Sequence, residues 1–138
     1  MFANFFRPIV VWLVIILAET AHGIIRNVYI APMLGDLRSR QIGVFFGSLI
    51  IFGIACLFAC WLRTSSVRSL LAIGAVWVVM TVIFEVSLGT ALGLSADRIT
   101  EDYDPTRGGL MIFGLVLMFL SPLLARKVRC CGDENRDG

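Results

Sequence analysis

The fold class predicted is an all-α integral membrane protein, with four transmembrane helices arranged as two helix-hairpin pseudo-repeats in a bundle. Three observations predict it. Of the 138 residues, 58% are hydrophobic and 16% charged, and the mean hydropathy is +0.87. That is more apolar surface than a soluble domain of this length can bury. The apolar residues fall into four runs, each long enough or nearly long enough to cross a bilayer. Two of those runs carry a lone intramembrane glutamate at matching places.

The first run begins at Pro8 and reads PIVVWLVIILA without a charge, then continues as ETAHGII to Ile25. A span needs about 20 predominantly apolar residues, so the helix must run on past Glu19, to about residue 28. A cleaved leader would take Arg7 as its charged lead and Ile9 to Ala18 as its apolar stretch. Pro8 and the want of a small-x-small cleavage pattern argue against it. The second run, about 41–62, contains IGVFFGSLIIFGIACLFACWL with no charge. The third, about 69–94, is interrupted only by Glu85. The fourth, LMIFGLVLMFLSPLLA, is short. Asp104-Pro105 supplies an N-cap and first-turn proline further upstream, giving a span of about 106–127. Residues 1–131 form one membrane domain, and 132–138 are a polar tail.

The short connection RTSSVR predicts that the second and third helices are antiparallel neighbours. The two other connections, NVYIAPMLGDLRSRQ and SADRITEDYDPTRGG, read as ordered loops. Each holds a proline and ends in an aspartate placed to cap the next helix. One polar helical turn is expected around SADRITEDY. Four spans put both termini on one face. That face would carry Arg7, Arg63, Arg68, Arg126, Lys127, Arg129 and Arg136, against Arg26, Arg38, Arg40, Arg98 and Arg107 opposite. The seven-to-five excess places the termini in the cytoplasm, and a bacterial inner membrane is the expected location.

A repeat is visible in the spacing. Glu19 stands 21 residues before Arg40, and Glu85 stands 22 before Arg107. Each glutamate is followed four residues on by a glycine and each arginine by a Phe-Gly pair. Trp12 and Trp77 precede the glutamates by seven and eight residues. Intramembrane glutamate is rare, so the placement of Glu19 and Glu85 carries most of this argument. It predicts a half-turn about the membrane normal that lays one hairpin on the other.

The same residues define the expected site. Glu19, His22 and Arg26 follow at i, i+3 and i+7, one stripe on a helix, and Glu85 with Gly89 makes a shorter stripe. A charge near the bilayer centre costs several kcal/mol, so these groups should face protein interior or a wet cavity. Arg40 and Arg107 are the expected ion-pair partners of the two glutamates. Alternatively the carboxylates hold a proton, because removal from water disfavours the charged form, and His22 could share it. Locking helices together is the plainer role for all of these groups.

Other chemistry is poorly supported. One histidine and no CxxC give no zinc spacing, and Glu-x-x-His with one further intramembrane carboxylate and no second histidine falls short of a di-metal bundle. No metal, cofactor or catalytic residue is expected, and non-enzymatic roles lead. The basic residues are dispersed, so nucleic acid is not a partner. Cys56 and Cys60 share a helix face and read as small packing residues. Cys130-Cys131, beside basic residues, suit lipidation only in a eukaryote.

In size and span number the chain resembles the small multidrug resistance transporters, four-helix proteins with a functional glutamate in the first helix. Glu19 would hold that place. EVSLGT, from Glu85, is similar to that family's glutamate-valine-x-glycine-threonine run but lies in the third helix with an added residue. The family's aromatic and glycine signature in the third helix is missing, and its members lack acidic loops such as ADRITEDYDPTRGG. The resemblance implies a functional role for Glu19. From the residues themselves two classes lead the expectations, ahead of a membrane enzyme acting on a lipid or quinone. One is a proton- or ion-linked transporter using Glu19, His22 and Glu85. The other is an accessory or assembly protein whose polar groups are structural. The bilayer is the first partner, and a homo-oligomer or partner membrane protein the second, since four helices enclose little path.

Overall fold

The structure is a computed structural model that describes residues 2–133, with side chains from Phe6 to Arg129. Six α-helices follow in order: α1 (Phe2–Ile25), α2 (Ala31–Leu34), α3 (Asp36–Phe58), α4 (Val67–Ala91), α5 (Ala96–Glu101) and α6 (Met111–Asp133). Four helical segments are long and apolar enough to cross a membrane: Phe6–Leu34, Asp36–Phe58, Val67–Ala91 and Met111–Arg129. The protein is an all-helical membrane bundle, as its composition predicts.

The first span is longer than expected. Beyond Ile25 the chain makes a π-helical turn, Arg26–Ile30, and then resumes as α2. The expected first outer loop is therefore helix. Pro32 does not stop it, because a proline is tolerated in the first turn of the renewed segment. The break comes at Gly35, whose φ of 84° suits a residue without a Cβ. Asp36 then lies within the first turn of α3 rather than capping it; the N-cap position is Gly35, with no side-chain bond.

The fourth span also starts later than predicted. Asp104 does cap, accepting from the Thr106 N–H at 2.9 Å, and Pro105 does follow it. What they begin is a single 3-10 turn, Pro105–Arg107, ended by Gly108 at φ 85°. Residue α6 begins on, Met111, donates its N–H to the Asp102 carbonyl. The polar helical turn expected in this connection is α5, with Ser95 as its cap.

Around the bundle, α1 packs on α3, α3 on α6, and α6 on α4, while α1 and α4 share a smaller seam. The second and third spans are thus not close neighbours, contrary to the expectation from the short RTSSVR connection. Consecutive elements usually pack together, but here α6 lies between them and takes both faces. Its approach to α4 is made possible by Gly74: a Cβ there would run into the backbone carbonyl of Phe119.

The core is a belt of Val11, Trp12, Ile15, Ile51, Ala55, Trp77 and Met118. Two indole N–H groups are satisfied across the α1–α4 seam. Trp12 donates to the Thr81 hydroxyl at 3.0 Å and Trp77 to the Pro8 carbonyl at 2.9 Å. Both bonds join residues 69 apart. The repeat read from the sequence needs an offset of 65 or 66 residues. The helices are therefore slipped by about one turn, roughly 4.5–6 Å at 1.5 Å per residue. A half-turn that exchanged the hairpins would also set α1 opposite α4 and α3 opposite α6, whereas both pairs touch. The packing lends the repeat no support.

Candidate functional site

The polar groups inside the bundle gather toward the end that carries α2 and α5. Glu19 and His22 lie one turn apart on α1, with His22 Nδ1 3.7 Å from Glu19 Oε2. Their side chains are 22% and 17% exposed, so both face inward for the most part. Arg26 continues the stripe two turns on from Glu19, as the spacing predicts.

Two glycines of α3 receive that stripe. Gly47 lies against the Glu19 carboxylate; an added Cβ would stand 2.7 Å from Oε2. Gly43, one turn away, lies against the Arg26 side chain, where a Cβ would stand 2.8 Å from Cδ. Glycines at i and i+4 thus form a shallow groove that lets two charged side chains lie between helices. In a membrane helix such glycines suit close approach of a neighbour. That they seat charges follows from the register of α1 on α3, which residue spacing does not reveal.

The seating is incomplete in hydrogen bonds. Glu19 Oε1 and Arg26 Nε are buried without a hydrogen-bond partner. A buried polar atom with no partner is costly, and more so for a carboxylate. Glu85 lies on the inward stripe of α4, in line with Trp77, Thr81 and Gly89, and is half-buried. It makes no hydrogen bond or ion pair among the described residues. The Glu19 and Glu85 charges are within electrostatic reach of each other, and Arg26 is within reach of Glu85. The structure thus places Glu85 of α4 within electrostatic reach of Glu19 and Arg26 of α1, with His22 beside Glu19.

Arg40 and Arg107 are not part of this group, which corrects their expected pairing with the glutamates. Arg40 is 8% exposed and is held by carboxylates of the outer segment. It meets Asp36 at 3.1 Å, Glu101 at 4.0 Å and Asp102 by a direct hydrogen bond. Arg98 completes the cluster, reaching Asp36 at 3.1 Å and Asp102 at 3.4 Å. Arg107 is exposed and lies 3.8 Å from Asp104. The reason is proximity: α5 folds back over the start of α3 and presents acidic groups to Arg40, while the glutamates lie further down the bundle. This cluster ties α5 to α3 and does the work of a clasp.

Tyr103 is the residue the sequence reading passed over. Its hydroxyl is buried and has no hydrogen-bond partner. Burial, with the charges of Glu85 and then Asp102, pushes its phenol above the ordinary value. The phenol therefore keeps its proton and lies within electrostatic reach of Glu85. Only the chain reversal after α5 carries it there, so no local signal could have found it.

No group of three or more His, Cys, Asp or Glu suited to a metal ion occurs among the described residues. Cys56 and Cys60 are free thiols, the first half-buried and the second exposed. The side chains of Cys130 and Cys131 lie outside the described residues, as do residues 134–138 of the tail. No family profile, curated protein or solved structure matches the chain.

Proposed function

We propose that this small polytopic membrane protein is a proton- or ion-linked transporter, with Glu19, His22 and Glu85 as its exchange site. The observation that carries the reading is the unpartnered oxygen of Glu19 inside the bundle, beside a histidine and within reach of a second glutamate. A carboxylate so placed is relieved by taking up a proton or a cation. His22 is positioned to pass a proton to Glu19, and Glu85 to respond to its charge. Arg26 offsets part of the negative charge, and the Tyr103 phenol offers a neutral donor. A single four-helix protomer encloses little path, so the working unit is a homo-oligomer. The excess of basic residues at the terminal face supports cytoplasmic termini, and a bacterial inner membrane is the location that goes with this reading.

A second reading is favoured by the fit of Glu19 and Arg26 against Gly47 and Gly43. A groove that matches two side chains this closely also serves packing alone, in an accessory or assembly protein. The two readings separate in liposomes. Under transport, Glu19→Gln retains the fold but loses pH-dependent flux of protons or monovalent cations, and Glu85→Gln shifts its pH profile. Under packing, the wild type and both variants show no flux above empty vesicles, and the substitutions register only in detergent melting curves.

A further inference from the structure

At the opposite end of the bundle a cavity of about 340 Å³ opens between the end of α3 and the last turns of α6. It is lined by Ala59, Cys60, Arg63, Ser65, Arg126 and Arg129. Three arginines from two separate segments therefore line one recess. Among the described residues no carboxylate lines it, and none of the three arginines makes an ion pair. Like charges brought together without a counter-charge among the described residues repel, and an anion between them would relieve that repulsion.

The arginines are also held in place. Arg129 Nε donates to the Cys56 carbonyl at 3.0 Å, and Arg126 donates to the Thr64 carbonyl. Each bond uses one of the five donors that a guanidinium carries, which leaves the others for a ligand. Arg63 has φ 50°, the one non-glycine residue in the left-handed region among those described. Such a backbone costs about 1–2 kcal/mol and is one more sign of a site built at the expense of local stability. Ser65 adds a hydroxyl. Nearby, the Arg7 guanidinium lies 5.5 Å over the Trp61 ring and donates to the Trp61 carbonyl at 3.0 Å. Tryptophan and arginine at a helix end mark the level of lipid headgroups.

We infer that Arg63, Arg126 and Arg129 form a binding site for a phosphate group at the terminal face of the bundle. Arginine suits it, since its planar fork meets phosphate oxygens two at a time. The recess falls within the size range of small-ligand pockets. It lies away from Glu19 and Glu85 and does not depend on the transport reading. The phosphate could belong to an anionic lipid headgroup at this level or be free in solution, and the test distinguishes the two.

Cys60 lines the recess and is exposed, which makes it a reporter. The full chain, with Cys130 and Cys131 replaced by serine, is placed in nanodiscs of phosphatidylcholine with or without phosphatidylglycerol. Modification of Cys60 by a negatively charged thiol reagent is followed by mass spectrometry, and lipid retained on the detergent-extracted protein by native mass spectrometry. A headgroup site predicts slowed Cys60 modification and retained phosphatidylglycerol. A free-phosphate site predicts the same protection in phosphatidylcholine when inorganic phosphate is added, with sulfate-free buffer as the baseline. Arg63→Gln and Arg129→Gln should each weaken either effect about tenfold, the value of a charge-assisted hydrogen bond. Arg68→Gln, outside the recess, should leave it unchanged. Arg126→Gln and Arg129→Gln also free the Thr64 and Cys56 carbonyls; Arg63→Gln breaks no such bond and keeps the test clear of misfolding. Equal losses in Arg68→Gln would show a general surface-charge effect and overturn the site. So would Cys60 modification that neither lipid nor phosphate slows.

Discussion

Gly74 offers the sharpest test of how the bundle is closed. An alanine Cβ at this position would stand 2.8 Å from the Phe119 carbonyl carbon and 3.1 Å from its Cα, and closer still to the carbonyl oxygen. An ordinary contact begins at 3.4 Å. The two backbones must therefore part by at least the 0.6 Å difference. Neither can turn aside, as a side chain would, because both are helix backbone flanked by the filled core at Trp77 and Met118. Overpacking of this kind costs about 1–3 kcal/mol, and alanine returns at most about 1 kcal/mol in helix propensity. Gly74→Ala should thus be destabilised by up to about 2 kcal/mol. Gly53→Ala is the matched control. Nothing lies within 4 Å of its added Cβ, so it should be neutral or up to about 1 kcal/mol more stable. The assay is unfolding by dodecyl sulfate in mixed micelles, read by tryptophan fluorescence, since Trp12 and Trp77 sit in the core. If the two variants unfold at the same detergent mole fraction, α4 and α6 are not this close and the packing order proposed for the bundle fails.

Three further outcomes follow from the same geometry. Thr81→Val removes the acceptor of the buried Trp12 indole N–H and should cost about 1–3 kcal/mol in the same unfolding assay; an unchanged midpoint would mean that the indole finds another acceptor. Gly47→Ala meets only the movable end of Glu19, so stability should stay within about 1 kcal/mol of wild type while the pH profile of any flux shifts; a profile identical to wild type would detach Glu19 from the activity. Asp104 is held below its ordinary 3.8 by the Thr106 hydroxyl and backbone N–H, with help from Arg107. A lowered folded value means stability that is present above pH 3.8 and lost as the pH falls through the folded value. Thr106→Val should return the Asp104 titration toward 3.8, checked by carboxyl-carbon NMR across the acid range.

The spans were legible in the sequence because runs of apolar residues leave a bilayer-crossing helix few alternatives. Their ends were less so. NVYIAPMLGD reads as a loop because of Pro32, yet only Gly35 interrupts the helix, since a proline in a first turn breaks no hydrogen bond. Asp104-Pro105 reads as the start of a span, yet Gly108 ends that turn after three residues. The stripe Glu19–His22–Arg26 was legible because helical spacing fixes it locally. The partners of Arg40 were not, because Asp102 lies 62 residues away and meets it only through the fold of α5. The seating of Glu19 against Gly47 was hidden for the same reason, being a matter of register between helices.

The position of α6 has a consequence for how the chain is made. A membrane protein leaves the ribosome span by span, and early helices wait in the bilayer for late ones. Here α1 and α3 form a pair as soon as both are inserted. The next helix, α4, meets α1 through only a small seam and has no extensive contact with α3. Its main partner, α6, is the last to be synthesised. Through that interval α4 carries the half-buried Glu85 with the face meant for α6 uncovered, a state that membrane quality-control proteases and chaperones recognise. Lifetime in the cell should therefore depend on the closing step, and a chain halted before Met111 should be degraded faster than its apolar content alone would imply.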